Sequence, residues 1–232
     1  IKNKLVSKAY AIDNKKGPFN ASLENIKKHH LDKEVIAVLA DGLEKLEEAI
    51  QKVKSSGVKT IVLHHPMKYQ GKRLELVAHP KNNAELVNFI DFSTQKLLDL
   101  AKKYDCKVLV HGSYELEEAE LLEPFASIED ARQYLFSRMD HFCHIGKGHI
   151  MFENGISKLY AYGDPKFDGL LAKKAYPLAY DISHAFIYLH GDNEALQQSL
   201  KTLKDHIVHY HLVDSLGQTH DSLTLGHGKI DW

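Results

Sequence analysis

Short apolar runs and longer amphipathic stretches take turns along this chain. The runs Leu5–Ile12, Lys59–His65, Lys107–His111, His149–Glu153, Leu178–Asp181 and His206–Val213 are rich in β-branched, aromatic or other apolar residues. Turn formers bound most of them: Pro66, Gly112, Asn154-Gly155 and Pro177. Such runs predict strands. Between them the apolar spacing changes to three and four. Ile36, Leu39, Leu43, Leu46, Ile50 and Val53 form one stripe over residues 34–55, and Gly57 stops it; the stripe predicts a single helix. Residues 83–104 repeat the scheme with Leu86, Phe89, Ile90, Leu97, Leu98 and Ala101. Residues 128–144 do so again, with Ser127 as N-cap and Asp130 at the third helical position. A shorter helix is expected over residues 193–204.

Strand–helix alternation implies a parallel sheet with right-handed crossovers. An open doubly wound sheet and a (β/α)8 barrel both satisfy it. The glycine fingerprints GxGxxG and GxxxxGK[ST] are absent, and Gly226-His227-Gly228 follows no clear strand. That removes the usual nucleotide-binding reason for an open sheet. The expected fold is therefore α/β with a parallel sheet in one domain over residues 1–232, and the pattern alone leaves both closures, open sheet and (β/α)8 TIM barrel, in play. Within the last strand, Val208, Tyr210 and Leu212 share one face and are expected to pack on helices. His209 and His211 share the other and point inside.

Composition narrows the function. The 232 residues carry 30 Lys plus Arg against 31 Asp plus Glu, a formal net charge of −1. That balance counts against a nucleic-acid field. No apolar run approaches the roughly 18 residues of a membrane span. Cys106 and Cys143 form no CxxC, and the N-terminal residues lack the apolar stretch of a signal peptide. A reducing, cytoplasmic setting is expected. The 16 histidines are scattered, with no run longer than two, so their placement carries the information.

Ligand-type residues end successive strands. His64-His65 close the second predicted strand, His111 the third, Glu153 the fourth and Asp181 the fifth, with His184 three residues on. The sixth carries His209 and His211, then Asp214. A parallel α/β domain gathers all strand C-termini at one mouth. His, Asp and Glu converging there would make an N/O site for Zn²⁺, Mn²⁺ or a similar ion. A lone His at a strand end is more often a hydrogen-bonded rim residue than a ligand; the group is harder to dismiss. His29, His30, His79, His141, His144 and His190 fall in loops or helices and read as solvated. No GxSxG, HExxH or strand-end cysteine offers another scheme.

Four segments in order carry a resemblance: Phe152-Glu153-Asn154-Gly155, Asp181-Ile182-Ser183-His184-Ala185, His209-Tyr210-His211-Leu212-Val213-Asp214 and Leu225-Gly226-His227-Gly228-Lys229-Ile230-Asp231. Over roughly residues 59–232 the chain resembles the xylose-isomerase-like TIM-barrel superfamily. That group includes sugar-phosphate isomerases and epimerases and nucleases of the endonuclease IV type. The resemblance implies a catalytic divalent ion held by Glu153, Asp181 and His211, with Glu153 also the catalytic base. It implies a second-metal or substrate-binding role for His64 or His65, His111 and His184, and His209, Asp214 and His220 join that candidate set. Thr219-His220-Asp221-Ser222 departs from the nuclease pattern, where an Asp-x-His precedes LGxG.

The implied activity is isomerisation or epimerisation of a sugar or sugar phosphate through an enediolate, with one or more divalent ions as cofactor. The substrate is then a small molecule, with no membrane partner, and a homo-oligomer is left open. The alternatives are a zinc-dependent apurinic-site endonuclease acting on nucleic acid and, behind it, a non-catalytic barrel with a residual metal site. About six of eight barrel strands are visible. Because six strands leave two open edges, the chain is expected to continue past Trp232 by on the order of 40–50 residues, two further βα units, and to supply a second glutamate.

Overall fold

The computed structural model describes residues 9–13, 35–39, 42–114 and 123–232. The chain divides into two compact units, Ile1–Val62 with Asp99–Cys106 and Leu63–Leu98 with Lys107–Trp232. In the first unit β1 (Ala9–Asp13) and β2 (Val35–Leu39) pair in parallel, Ala9 opposite Val35 and Asp13 opposite Leu39. Helix α1 spans Gly42–Ser55. The strand β2 corrects the expectation of one helix over residues 34–55. Val35-Ile36-Ala37-Val38-Leu39 is continuously apolar and mostly β-branched, so it satisfies a buried strand as well as a helical stripe. Residues 5–8 of the first expected strand lie outside the described residues.

Further along, β3 (Val62–His64) leads through a small antiparallel pair, β4 (Lys68–Tyr69) and β5 (Lys72–Arg73), to helix α2 (Pro80–Tyr104) and strand β6 (Lys107–His111). Then follow α3 (Ile128–Gly146), β7 (Ile150–Glu153), α4 (Pro165–Lys174), β8 (Leu178–Asp181), α5 (Ile182–Tyr188), α6 (Asn193–Leu203) and β9 (Ile207–His211). One sheet takes the order β3-β6-β7-β8-β9, and β6 through β9 pair in parallel with their chain neighbours. This is an α/β fold of TIM-barrel type, present as a partial barrel. Against the six strands expected, the described residues place five in this sheet and two in the first unit.

The local chemistry explains the helix starts. Ser127 caps α3 by accepting from the Asp130 amide at 3.1 Å, as its spacing predicts. Asp164 caps α4, with Pro165 at the first helical turn, and Asp192 caps α6. The pair β4–β5 and helices α4 and α5 have no counterpart in the sequence pattern. The seven-residue α5 is too short for periodicity to register.

Strands β7 and β8 are buried along their whole length. Helix α3 buries Leu135, Met139 and Phe142. Each such side chain contributes roughly 1.5–3 kcal/mol. The last strand departs from expectation. Val208, Tyr210 and Leu212 do oppose His209 and His211, yet they are 60%, 46% and 52% exposed. β9 ends the sheet order, and among the described residues no helix follows it. None of the described helices is long and apolar enough to cross a membrane.

His65 belongs to this packing and not to a mouth. It is buried, its Nε2 lies 2.8 Å from Ser93 Oγ, and that hydroxyl donates to Phe89 O. Burial lowers its pKa to about 3, with help from neighbouring His64. Burial likewise lowers that of His111 to about 3, against the pull of Glu153. Below pH 6.5 the unfolded chain takes up protons at these two positions that the native state refuses until near pH 3. Stability should therefore fall as pH falls from 6.5, by up to ~1.4 kcal/mol per pH unit for each group. Urea unfolding of the metal-free protein at pH 7, 6 and 5 measures this. A flat profile would mean that at least one of the two rings is protonated in the native state, since Asp168, which burial raises to about 6, offsets only one of them.

Candidate metal centre

Parallel pairing aligns the strand ends. His111 sits directly opposite Glu153 across β6–β7, and Asp181 opposite His211 across β8–β9. His64 closes β3 on the other side of β6. The strand-end residues thus meet by register.

Glu153 is the centre of the group and is buried. Its Oε1 accepts from His211 Nδ1 at 2.6 Å. Its Oε2 lies 3.1 Å from His111 Nε2 and 3.6 Å from His64 Nε2. Asp181 Oδ2 lies 3.7 Å from His211 Nδ1. Two groups of three therefore share Glu153: Glu153, Asp181 and His211, and His64, His111 and Glu153. In each, one donor atom per residue lies within 4.8 Å of the others.

Glu153 Oε2 and His111 Nδ1 are buried with no hydrogen-bond partner. A buried carboxylate oxygen without a donor is costly, and a cation would remove that cost. The donor set, carboxylate oxygens with imidazole nitrogens, is what Zn²⁺ or Mn²⁺ takes. The residues fit such an ion.

The charge pattern agrees. Burial alone would raise the pKa of Glu153, but the hydrogen bond from His211 and the other imidazoles hold it well below the usual carboxylate range. Asp181 is lowered too, against its burial, by His211, His184 and a backbone donor. His211 shows the converse. Burial would lower it, but hydrogen bonds to Asp181 and Glu153, and their charges, raise it to about 10.

Asp181 also starts α5. Its Oδ1 accepts from the His184 amide and from Ser183 Oγ, both at 2.9 Å. That brings His184 over the mouth. His184 Nδ1 lies 2.8 Å from Asn154 O, which can only accept, so Nδ1 carries the proton. Its Nε2 meets His220 Nε2 at 2.6 Å, and in the neutral pair His220 donates. His220 thus reaches the mouth despite its irregular spacing. Tyr114 completes one wall, its ring centroid 5.0 Å from His111 and 5.3 Å from His184.

Besides His184 and His220, three candidates lie outside both groups of three. His65 is in the core, as described, so of the pair only His64 faces Glu153. His209 packs edge-on to His211 at 5.0 Å. Asp214 organises a loop. It accepts from the amides of Ser215 and Gly226 and from Trp232 Nε1 at 2.8–3.0 Å, and more weakly from Ile230. A Cβ on Gly228 would collide with its carboxylate, which is why LGxG follows it. Gly155 has a similar role, since a Cβ there would strike Ser113 and Tyr114 main chain. Sequence reasoning gave no function to Asn154, Ser183 or Tyr114. Only the adjacency of Asn154 to Glu153 and of Ser183 to His184 hinted at one.

The His211–Glu153 bond generates a direct test. Glu153→Gln removes one of the two carboxylates that raise His211. The His211 midpoint in the metal-free protein should drop by more than one pH unit toward 6.5. An NMR titration of the ring resonances reads this, and an unmoved midpoint would show that Glu153 does not hold the proton.

Comparisons place the fold. A methyltransferase-domain family model matches residues 1–91, which stops before β6 and covers less than half of the chain. No curated protein matches the sequence. Solved structures do. A D-tagatose 3-epimerase-like protein is 20% identical, with a TM-score of 0.58 over 81% of this chain and 68% of that one. The TTHB071 protein of Thermus thermophilus, soaked with ZnCl2, is 16% identical, with a TM-score of 0.58 over 95% and 82%. The 3-keto-D-glucoside 4-epimerase YcjR of E. coli is 14% identical, with a TM-score of 0.57 over 92% and 84%. At these identities the likeness is one of fold, and the fold is the TIM-barrel type read from the strand order.

Proposed function

We propose that this chain is a divalent-metal-dependent isomerase or epimerase of sugars or sugar phosphates, a member of the xylose-isomerase-like superfamily. One observation carries the reading: a buried glutamate with one oxygen bound to His211 and the other unpartnered beside two histidines, next to Asp181. The names of two proteins of similar fold, a D-tagatose 3-epimerase-like protein and a 3-keto-D-glucoside 4-epimerase, and the zinc soak of a third support it.

Glu153, Asp181 and His211 would hold the ion. Bound there, Zn²⁺ or Mn²⁺ supplies a Lewis acid for negative charge developing on substrate oxygens. Glu153 stays deprotonated, and it would be the base that removes a carbon-bound proton. Asp181 is fixed by α5 and by Ser183, so its carboxylate does not swing. His64 presents its Nε2 to the mouth for a substrate hydroxyl or a phosphate, and the hydrogen-bonded pair His184–His220 lines the mouth beside it. Tyr114 gives that side an apolar wall.

A second reading has its own support. Because Glu153 is shared by two groups of three, the site has the donors for two ions, an arrangement that suits phosphodiester cleavage at abasic DNA. The net charge of −1 weighs against a nucleic-acid substrate.

Metal analysis and a substrate panel decide between them. Wild-type protein should retain at least one ion per chain and interconvert a ketose or sugar phosphate. Asp181→Ala should lose the ion, because neighbouring histidines cannot replace its charge, while Ser183→Ala should keep it. Incision of an abasic-site oligonucleotide without sugar turnover would install the second reading. Equal metal content in wild type and Asp181→Ala would overturn both.

A further inference from the structure

Residue Asn154 is fully buried one position after Glu153 and takes no part in either group of three. Its side chain grips the main chain of Asp181 at two points. Nδ2 donates to Asp181 O at 3.0 Å and Oδ1 accepts from Asp181 N at 2.8 Å. Its own main-chain oxygen accepts from His184 Nδ1 at 2.8 Å. The reason lies in the strand register. The β7–β8 ladder pairs Phe152 with Leu178 and Glu153 with Ala179 and goes no further. β8 continues to Asp181, so its last residue lacks a main-chain partner on that side. The Asn154 amide supplies one, presenting a donor and an acceptor as a strand residue would.

We propose that Asn154 is a positioning residue for the metal site: it fixes Asp181 and His184 relative to Glu153 and thereby sets metal affinity. The proposal rests on the metal reading above. The side chain is specific. Asp keeps the acceptor and loses the donor, Ser is too short to reach both groups, and Gln is one carbon too long. Three residues of the mouth depend on this one: Glu153 by covalent bond, Asp181 by the amide and His184 by the carbonyl. Groups that orient ligands from behind typically change metal affinity 10–100-fold. A merely structural amide would change thermal stability and leave affinity alone.

The test uses two readouts. Zinc affinity is measured by calorimetry for the wild type, Asn154→Ala and Asn154→Asp, with thermal unfolding of each metal-free protein alongside. Hydrogen exchange at the Asp181 amide is measured without metal. Asn154→Ala should weaken zinc binding at least tenfold and speed exchange at Asp181 at least tenfold. Asn154→Asp should keep that amide protected and still weaken zinc binding, because the Asp181 carbonyl loses its donor. If the alanine variant does not fold, the aspartate variant carries the test. Zinc affinity within threefold of wild type in a folded variant overturns the positioning role. Wild-type protein that binds neither zinc nor manganese removes the metal reading and this role with it.

Discussion

The structure turns on one buried charge. Glu153 ends β7 inside the sheet, where an isolated carboxylate would cost several kcal/mol to desolvate. Its neighbours answer that cost unequally. His211 satisfies one oxygen with a hydrogen bond, while His111 and His64 stand near the other without bonding it. In a site devoted to stability the second oxygen would have a donor as well. The half-satisfied carboxylate is what the proposed ion completes, and Asp181 adds the second negative charge that makes a cation the appropriate partner.

Parallel pairing does the assembling. Each strand delivers its last residue to the same mouth, and register places His111 against Glu153 and Asp181 against His211. Helix α5 then begins at once, so the same Asp181 carboxylate caps it and carries His184 over the mouth. Nothing in this requires long-range coincidence. It follows from strands of similar length ending together.

Much of this could be read from the chain. Apolar strands terminated by His, Glu and Asp announced both the alternating fold and the mouth, because strand boundaries and polar strand ends are local features. What could not be read is instructive. His64 and His65 are adjacent, and a strand turns successive side chains to opposite faces. One of them had to be core, but only the packing of Ser93 from α2 beneath His65 decides which. Asp214 looked like a ligand because of its motif, yet its partners are main-chain amides and the Trp232 indole, from residues up to 18 positions on, which no spacing rule reveals. Residues 35–39 satisfy two periods at once. The exposed Val208, Tyr210 and Leu212 were misjudged because alternation tells which residues share a face, not what covers it.

The protonation of His211 joins these features into one mechanism of occupancy. Its pKa of about 10 arises from the same carboxylates that would hold an ion. At neutral pH the ion-free centre therefore holds a proton where the ion would go, between Glu153 and Asp181. Ion and proton are alternatives for one nitrogen, so ligation at His211 must release that proton. This keeps the two carboxylates compensated in either state. A folded, ion-free centre can then exist without two unbalanced buried charges. Replacing the proton changes the charge of the cluster without demanding that the strands move.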